Sequence, residues 1–172
     1  MGRHRDFWRL TRGRSRHATK SLELDLTPDR SARLLEAYLT LTAFPDVKPG
    51  LEALKRRGLR LAILSNGAPK MLQAAVRGAG IVDLLDGILS VEEVKIFKPS
   101  PRLYHLASDH FRLRPTETGF VSSNGWNVAG AASAGLETFW IQRRTTEPPE
   151  ELGFTADHTV RTITDLPALL GG

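Results

Sequence analysis

An α/β fold, a parallel sheet with helices packed on it behind a short helical segment, is what this sequence predicts, and three observations predict it. From Pro49 onward, short apolar runs alternate with helix-period segments, the pattern of parallel strands joined by right-handed helical crossovers. Leu59-Arg60-Leu61-Ala62-Ile63-Leu64 is apolar at five of six positions and stops at Ser65-Asn66-Gly67, as a strand covered on both faces does when it delivers polar groups at its carboxyl end. Phe44-Pro45-Asp46-Val47-Lys48-Pro49-Gly50 breaks the pattern with two prolines and a glycine, which divides the chain near residue 43 into a segment 1–42 and a core 43–172.

Length and composition bound the possibilities. The 172 residues, 41% of them hydrophobic, can bury one core and a small appendage. The chain has no cysteine, which excludes disulfides and thiolate metal sites and fits a reducing compartment. No apolar run approaches the roughly 20 residues of a membrane span, and none follows a short basic start as in a secretory signal, so a cytoplasmic protein without membrane contact is expected. The net charge of +5 is local: residues 1–20 carry seven Lys or Arg against one acid, and the rest is nearly neutral. This basic opening, with Phe7 and Trp8, admits a nucleic-acid or partner-binding arm; the plainer reading is a solvated helix face, with no nucleic acid as partner.

In chain order, Leu22–Leu26 alternates, and Thr27-Pro28-Asp29 is a helix start, with Thr27 as N-cap and Pro28 at the first helical position. A helix over Asp29–Leu41 follows from Leu34, Leu35, Tyr38 and Leu41 at three-and-four spacing. Beyond the boundary the predicted elements are a helix Pro49–Arg57 closed by Gly58, the strand from Leu59, a helix Pro69–Gly78, a strand Gly87–Val91 and a helix Pro99–Phe111. A strand Gly119–Ser123, a helix Val128–Ala134, a strand Glu137–Ile141 and a short strand and helix within Thr159–Leu170 complete the chain.

Three polar clusters fall where strands of such a sheet end, which is where open α/β sheets bind ligands. The first is Ser65-Asn66-Gly67. In the second, Phe97-Lys98-Pro99-Ser100-Pro101-Arg102-Leu103-Tyr104, Lys98 precedes a proline-started helix, and its amine is expected near that helix's N-terminus. The third, Ser122-Ser123-Asn124-Gly125-Trp126-Asn127, leads into Gly130-Ala131-Ala132-Ser133-Ala134-Gly135, whose small residues allow close packing on the sheet.

The order S-N-G, K-P-x-x-R-x-Y and F-V-S-S-N-G-W resembles the type II 2-haloacid dehalogenases of the haloacid dehalogenase superfamily, over nearly the whole chain. The resemblance implies a Rossmann-like parallel core with a partial helical cap. It also implies hydrolysis of 2-haloalkanoic acids without metal or cofactor: an aspartate on the first strand displaces halide from C2, and water cleaves the resulting ester. By position, Ser65 would bind the substrate carboxylate, Asn66 would cradle the halide and Lys98 would keep the nucleophile ionised. Tyr104 and Ser122 would orient the lysine and the carboxylate, Asn124 would bond the nucleophile or its water, and Trp126 would wall the halide pocket. A homodimer is admitted, since the family forms one.

Two departures accompany the resemblance. The family's nucleophile strand, expected between the Leu59 and Gly119 strands, lies upstream of the cap, and this chain opens already inside the cap. The nearest local imitation, Asp25 in Leu22–Thr27, matches a loop between cap helices. Asn127 stands where the family carries an aspartate that pairs with the lysine and positions water; an amide cannot take a proton or offset a charge. The chain alone is therefore expected to turn over little, and a degenerate, non-catalytic binder of small carboxylates is the alternative. A magnesium-dependent phosphatase is disfavoured, because no acid lies between Glu117 and Glu137 to hold the metal.

Overall fold

The structure, a computed structural model, describes residues 7–144 and 152–170. Residues 1–6 of the basic opening lie outside the described residues. Helix α1 (Phe7–Ser21) packs on α2 (Pro28–Ala37). Thr27 caps α2 as expected: its Oγ1 accepts from the Arg30 amide at 3.3 Å, with Pro28 at the first position. The helix stops at Ala37, not Leu41, and most of its apolar stripe is left exposed. Leu35 is buried, but Leu34, Tyr38 and Leu41 are exposed, and a short helix depends on burying that stripe. The alternating stretch Leu22–Leu26 is an irregular connection, and Asp25 within it is exposed.

Helix α3 (Val47–Arg56) begins two residues earlier than expected and ends before Gly58, which adopts φ +79°. Strand β1 (Ala62–Ser65), α4 (Pro69–Gly78), β2 (Gly87–Ser90), α5 (Pro101–Phe111), β3 (Gly119–Ser122), α6 (Gly125–Ser133), β4 (Glu137–Ile141), β5 (His158–Val160) and α7 (Leu166–Leu169) follow. Leu59 and Arg60 lie outside β1. At the strand's start Asp86 accepts from the Leu61 amide at 2.7 Å, a side-chain bond in place of a ladder bond, and it also accepts from Lys55.

Every strand pairing among the described residues is parallel. β1 pairs with β2, Ser65 opposite Ser90, and β3, β4 and β5 form a second sheet in that order, Ser122 opposite Trp140. Among the described residues β1 and β3 do not pair, so each has one open edge. This revises the expected burial of the Leu59 run: Ala62 is exposed and Ile63, Leu64 and Ser65 are only half-buried, because a strand with one neighbour keeps a solvent-facing side. Side chains connect the two sheets. Leu59 and Leu61 pack on a core of Leu54, Phe139, Ile141, Val160 and Leu166, and Leu64 packs on Tyr104, Phe120, Ala131, Ala134 and Leu136.

The stretch between α2 and α3 is fastened to the core. Asp46 accepts two bonds from the Arg143 guanidinium, at 2.7 and 3.0 Å, and one from the Ile163 amide at 2.8 Å, while Arg143 lies 4.2 Å from the Phe44 ring centroid. Burial would raise the Asp46 carboxyl, but the Arg143 and backbone hydrogen bonds outweigh it and hold the pKa below its ordinary value. Gly50 makes this approach possible, since a Cβ there would stand 2.5 Å from Ile163 Cγ2. Among the described residues no helix is long and apolar enough to cross a membrane.

Candidate active site

The three polar clusters meet at the carboxyl ends of β1 and β3, and backbone hydrogen bonds explain how. After β1 the chain turns through Ser65, whose Oγ accepts from the Gly67 amide at 3.0 Å. Ser90, 2% exposed, fixes the same turn from β2: its Oγ donates to the Gly67 carbonyl at 2.7 Å. Asn66 then reaches the second cluster, its Oδ1 accepting from the Lys98 amide at 3.0 Å, and its Nδ2 has no acceptor among the described residues.

The Lys98 side chain does not stand at the N-terminus of α5. Its Nζ turns back and donates to the Leu64 carbonyl at 2.8 Å, lying 4.9 Å from the Phe120 ring centroid and 6.0 Å from that of Tyr104. The physical reason is the open edge of β1: among the described residues the Leu64 carbonyl has no strand partner, and a largely buried ammonium needs an acceptor. Among the described residues no carboxylate pairs with this amine, and burial lowers its pKa to about 8.

The third cluster forms a closed hydrogen-bond chain. Tyr104, wholly buried, contacts Phe120 edge-on at 5.3 Å, and its hydroxyl lies 2.8 Å from Asn127 Oδ1 and 3.1 Å from the Asn127 carbonyl. Asn127, 6% exposed, donates from Nδ2 to Ser122 Oγ at 3.1 Å, and the Asn124 amide donates to the same oxygen at 3.1 Å. The small residues of α6 permit this approach: a Cβ on Gly130 would stand 2.5 Å from the Tyr104 hydroxyl. Burial raises the Tyr104 phenol to about 12, so it remains a donor. Tyr104 therefore binds Asn127 and not Lys98. Helix α6 begins at Gly125, three residues before the expected start, and this places Asn127 on the helix and not in a loop. The Asn124 side chain is exposed, Trp126 is 39% exposed at the rim, and Trp140 Nε1 holds the loop through the Ser123 carbonyl at 3.3 Å.

Ser90 is the residue that sequence reasoning missed. Its signal was the same as for Ser65 and Ser122, an apolar strand ending in serine, but the Val91-Glu92-Glu93 that follows reads as a helix start, which Ser90 does cap. Among the described residues no group of three His, Asp or Glu side chains comes together as a metal site.

Parallel strands with helices packed on them, gathering a half-buried lysine, serine hydroxyls and asparagine amides at their carboxyl ends, define a Rossmann-like α/β protein. Residues 1–135 match the model of the haloacid dehalogenase-like hydrolases. The (S)-2-haloacid dehalogenase 1 of Pseudomonas sp. strain CBS-3 is 43% identical over 171 residues, 99% of this chain and 74% of that protein. Among solved structures, the L-2-haloacid dehalogenase RSc1362 superposes with a TM-score of 0.94 at 39% identity, covering 98% of this chain and 74% of that one. The L-2-haloacid dehalogenase of Xanthobacter autotrophicus with chloropropionic acid covalently bound gives 0.90 at 34% identity, covering 99% and 78%. The chain belongs to the haloacid dehalogenase-like hydrolase family.

Proposed function

We propose that the site serves hydrolytic removal of halide from 2-haloalkanoic acids. An aspartate oxygen attacks C2 and halide leaves with the bonding pair. Water then adds to the ester carbonyl, freeing the 2-hydroxy acid and regenerating the carboxylate. The observation that carries this reading is the Lys98 amine, half-buried beside the open edge of β1 without a carboxylate partner among the described residues. A carboxylate presented on a strand between β1 and β3 would meet that charge and displace it from Leu64. Ser65 binds the substrate carboxylate, the Nδ2 hydrogens of Asn66 face the departing halide, Asn124 bonds the nucleophile or its water, and Trp126 walls the halide pocket. Residues 1–42 act as part of a cap over the core, and the reaction needs no metal. The protein acts in the cytoplasm on a small haloacid, without nucleic acid, and the open edges favour a homodimer.

Asn127 favours a second reading, a small-carboxylate binder that does not turn over, because both ends of its amide are engaged and neither can accept a proton from water. Halide release separates the two readings. The 172-residue chain should release none above background from (S)-2-chloropropionate, and a family-type first strand and cap helices fused before Met1 should restore release. A correctly folded fusion that releases no halide, even with Asn127→Asp, would leave the binder.

A further inference from the structure

We infer that Asn127 sets the direction of the hydrogen bonds at Ser122 and turns that serine into a dedicated donor to a ligand's carboxylate. The inference rests on the carboxylate-binding reading of the site. Among the described residues the Tyr104 hydroxyl finds its acceptors at Asn127, the side-chain oxygen at 2.8 Å and the backbone carbonyl at 3.1 Å. A spacing of 2.8 Å is that of an O–H···O bond, whereas 3.1 Å between Nδ2 and Ser122 Oγ suits an N–H···O bond, which orients the amide.

With Nδ2 facing Ser122, the serine oxygen receives two donors, this one and the Asn124 amide. A hydroxyl has two lone pairs and one hydrogen. Both lone pairs are taken, and among the described residues nothing accepts the hydrogen. It is left for an acceptor from outside, and the Lys98 amine, which has no carboxylate partner among the described residues, lies 4.9 Å from the ring of Phe120, two residues before Ser122 on the same strand. A carboxylate satisfies both demands. It accepts the hydroxyl proton, and its charge is balanced by the ammonium.

An aspartate at position 127 reverses this order. A carboxylate there offers no N–H, so Ser122 donates inward to it, and the added negative charge competes with the ligand for Lys98. Asn127 is thus a positioning residue for tight carboxylate binding, and the chain exchanges acid–base capacity for affinity.

The test is propionate binding, followed by NMR on the 172-residue chain and its variants, with the spectra reporting the fold of each. Ser122→Ala should weaken binding by about 10- to 100-fold, the worth of a hydrogen bond to a charged group. Ser122→Thr, which keeps the hydroxyl, should restore it to within about threefold, a rescue that a merely structural role for the serine would not require. Asn127→Asp should weaken binding at least as much as Ser122→Ala; should that variant unfold, the alanine and threonine pair decides alone. Unchanged affinity in Ser122→Ala, with binding lost in Ser65→Ala, would overturn the inference and leave the carboxylate site standing. No propionate binding by the parent chain would overturn both.

Discussion

Replacing Lys98 by methionine tests the electrostatics of the site without any substrate. The amine is surrounded by Phe120, Tyr104 and the Leu64 carbonyl, with no carboxylate partner among the described residues, and burial lowers its pKa from 10.5 to about 8. Held as an ammonium at pH 7, it therefore opposes folding by about 3 kcal/mol, at about 1.4 kcal/mol per pKa unit. Methionine removes that opposition and fills a similar volume, but loses the bond to Leu64, worth about 1 kcal/mol. Lys98→Met should be more stable than the parent by about 2 kcal/mol at pH 7. The folded pKa lies below the unfolded one, so between about pH 8 and pH 10.5 the unfolded chain binds more protons, and the parent gains stability relative to the variant as pH rises. The advantage should vanish across that window. Urea unfolding at pH 7, 9 and 10.5 measures it; a difference constant with pH, or a variant less stable at pH 7, would refute the reasoning.

Three further outcomes are expected. Gly130→Ala pushes a methyl group into the Tyr104 hydroxyl and should cost about 1–3 kcal/mol, with altered Asn127 side-chain amide resonances; unchanged resonances would show that Tyr104 is not wedged there. Asp46→Ala removes the acceptor of Arg143 and of the Ile163 amide and should cost about 2 kcal/mol in urea unfolding, whereas a loss below about 0.5 kcal/mol would make the fastening a surface pair. The open edges of β1 and β3 should make the 172-residue chain associate with rising concentration, and a monomer with a sharp reversible melt, seen by sedimentation and circular dichroism, would contradict this.

The sequence was most legible where backbone chemistry punctuates it. Helix α4 runs from Pro69 to Gly78 as expected because proline opens it and Gly-Ala-Gly closes it, and β4 is bounded by Gly135 and the polar Gln142-Arg143. The start of α6 was not legible: Gly125-Trp126-Asn127 has loop composition, and the helix begins there because Asn127 satisfies Tyr104 and Ser122, partners distant in sequence. That the three polar clusters come together at strand ends was legible: Asn66 bonds Lys98, Ser65 holds Gly67 beside them, and Tyr104, Asn127 and Ser122 form one hydrogen-bond chain. The wiring of the site was not. Where Lys98 points depends on an unpaired carbonyl on β1, and what holds Gly67 depends on the register that sets Ser65 opposite Ser90. Neither is a property of local composition.

The claim that this chain carries the lysine, serine and asparagine part of a haloacid-cleaving site is tested most directly by mass. A family-type first strand and cap helices fused before Met1, incubated with (S)-2-chloropropionate, should gain the mass of one 1-carboxyethyl ester on the aspartate of the added strand. The ester should accumulate because Asn127 cannot help the water that cleaves it, and Asn127→Asp should raise steady-state halide release by about 10²-fold, the contribution of a positioned acid–base group. Lys98→Ala in the same fusion should abolish the adduct. A folded fusion that forms no ester, or forms it equally well without Lys98, would contradict the account.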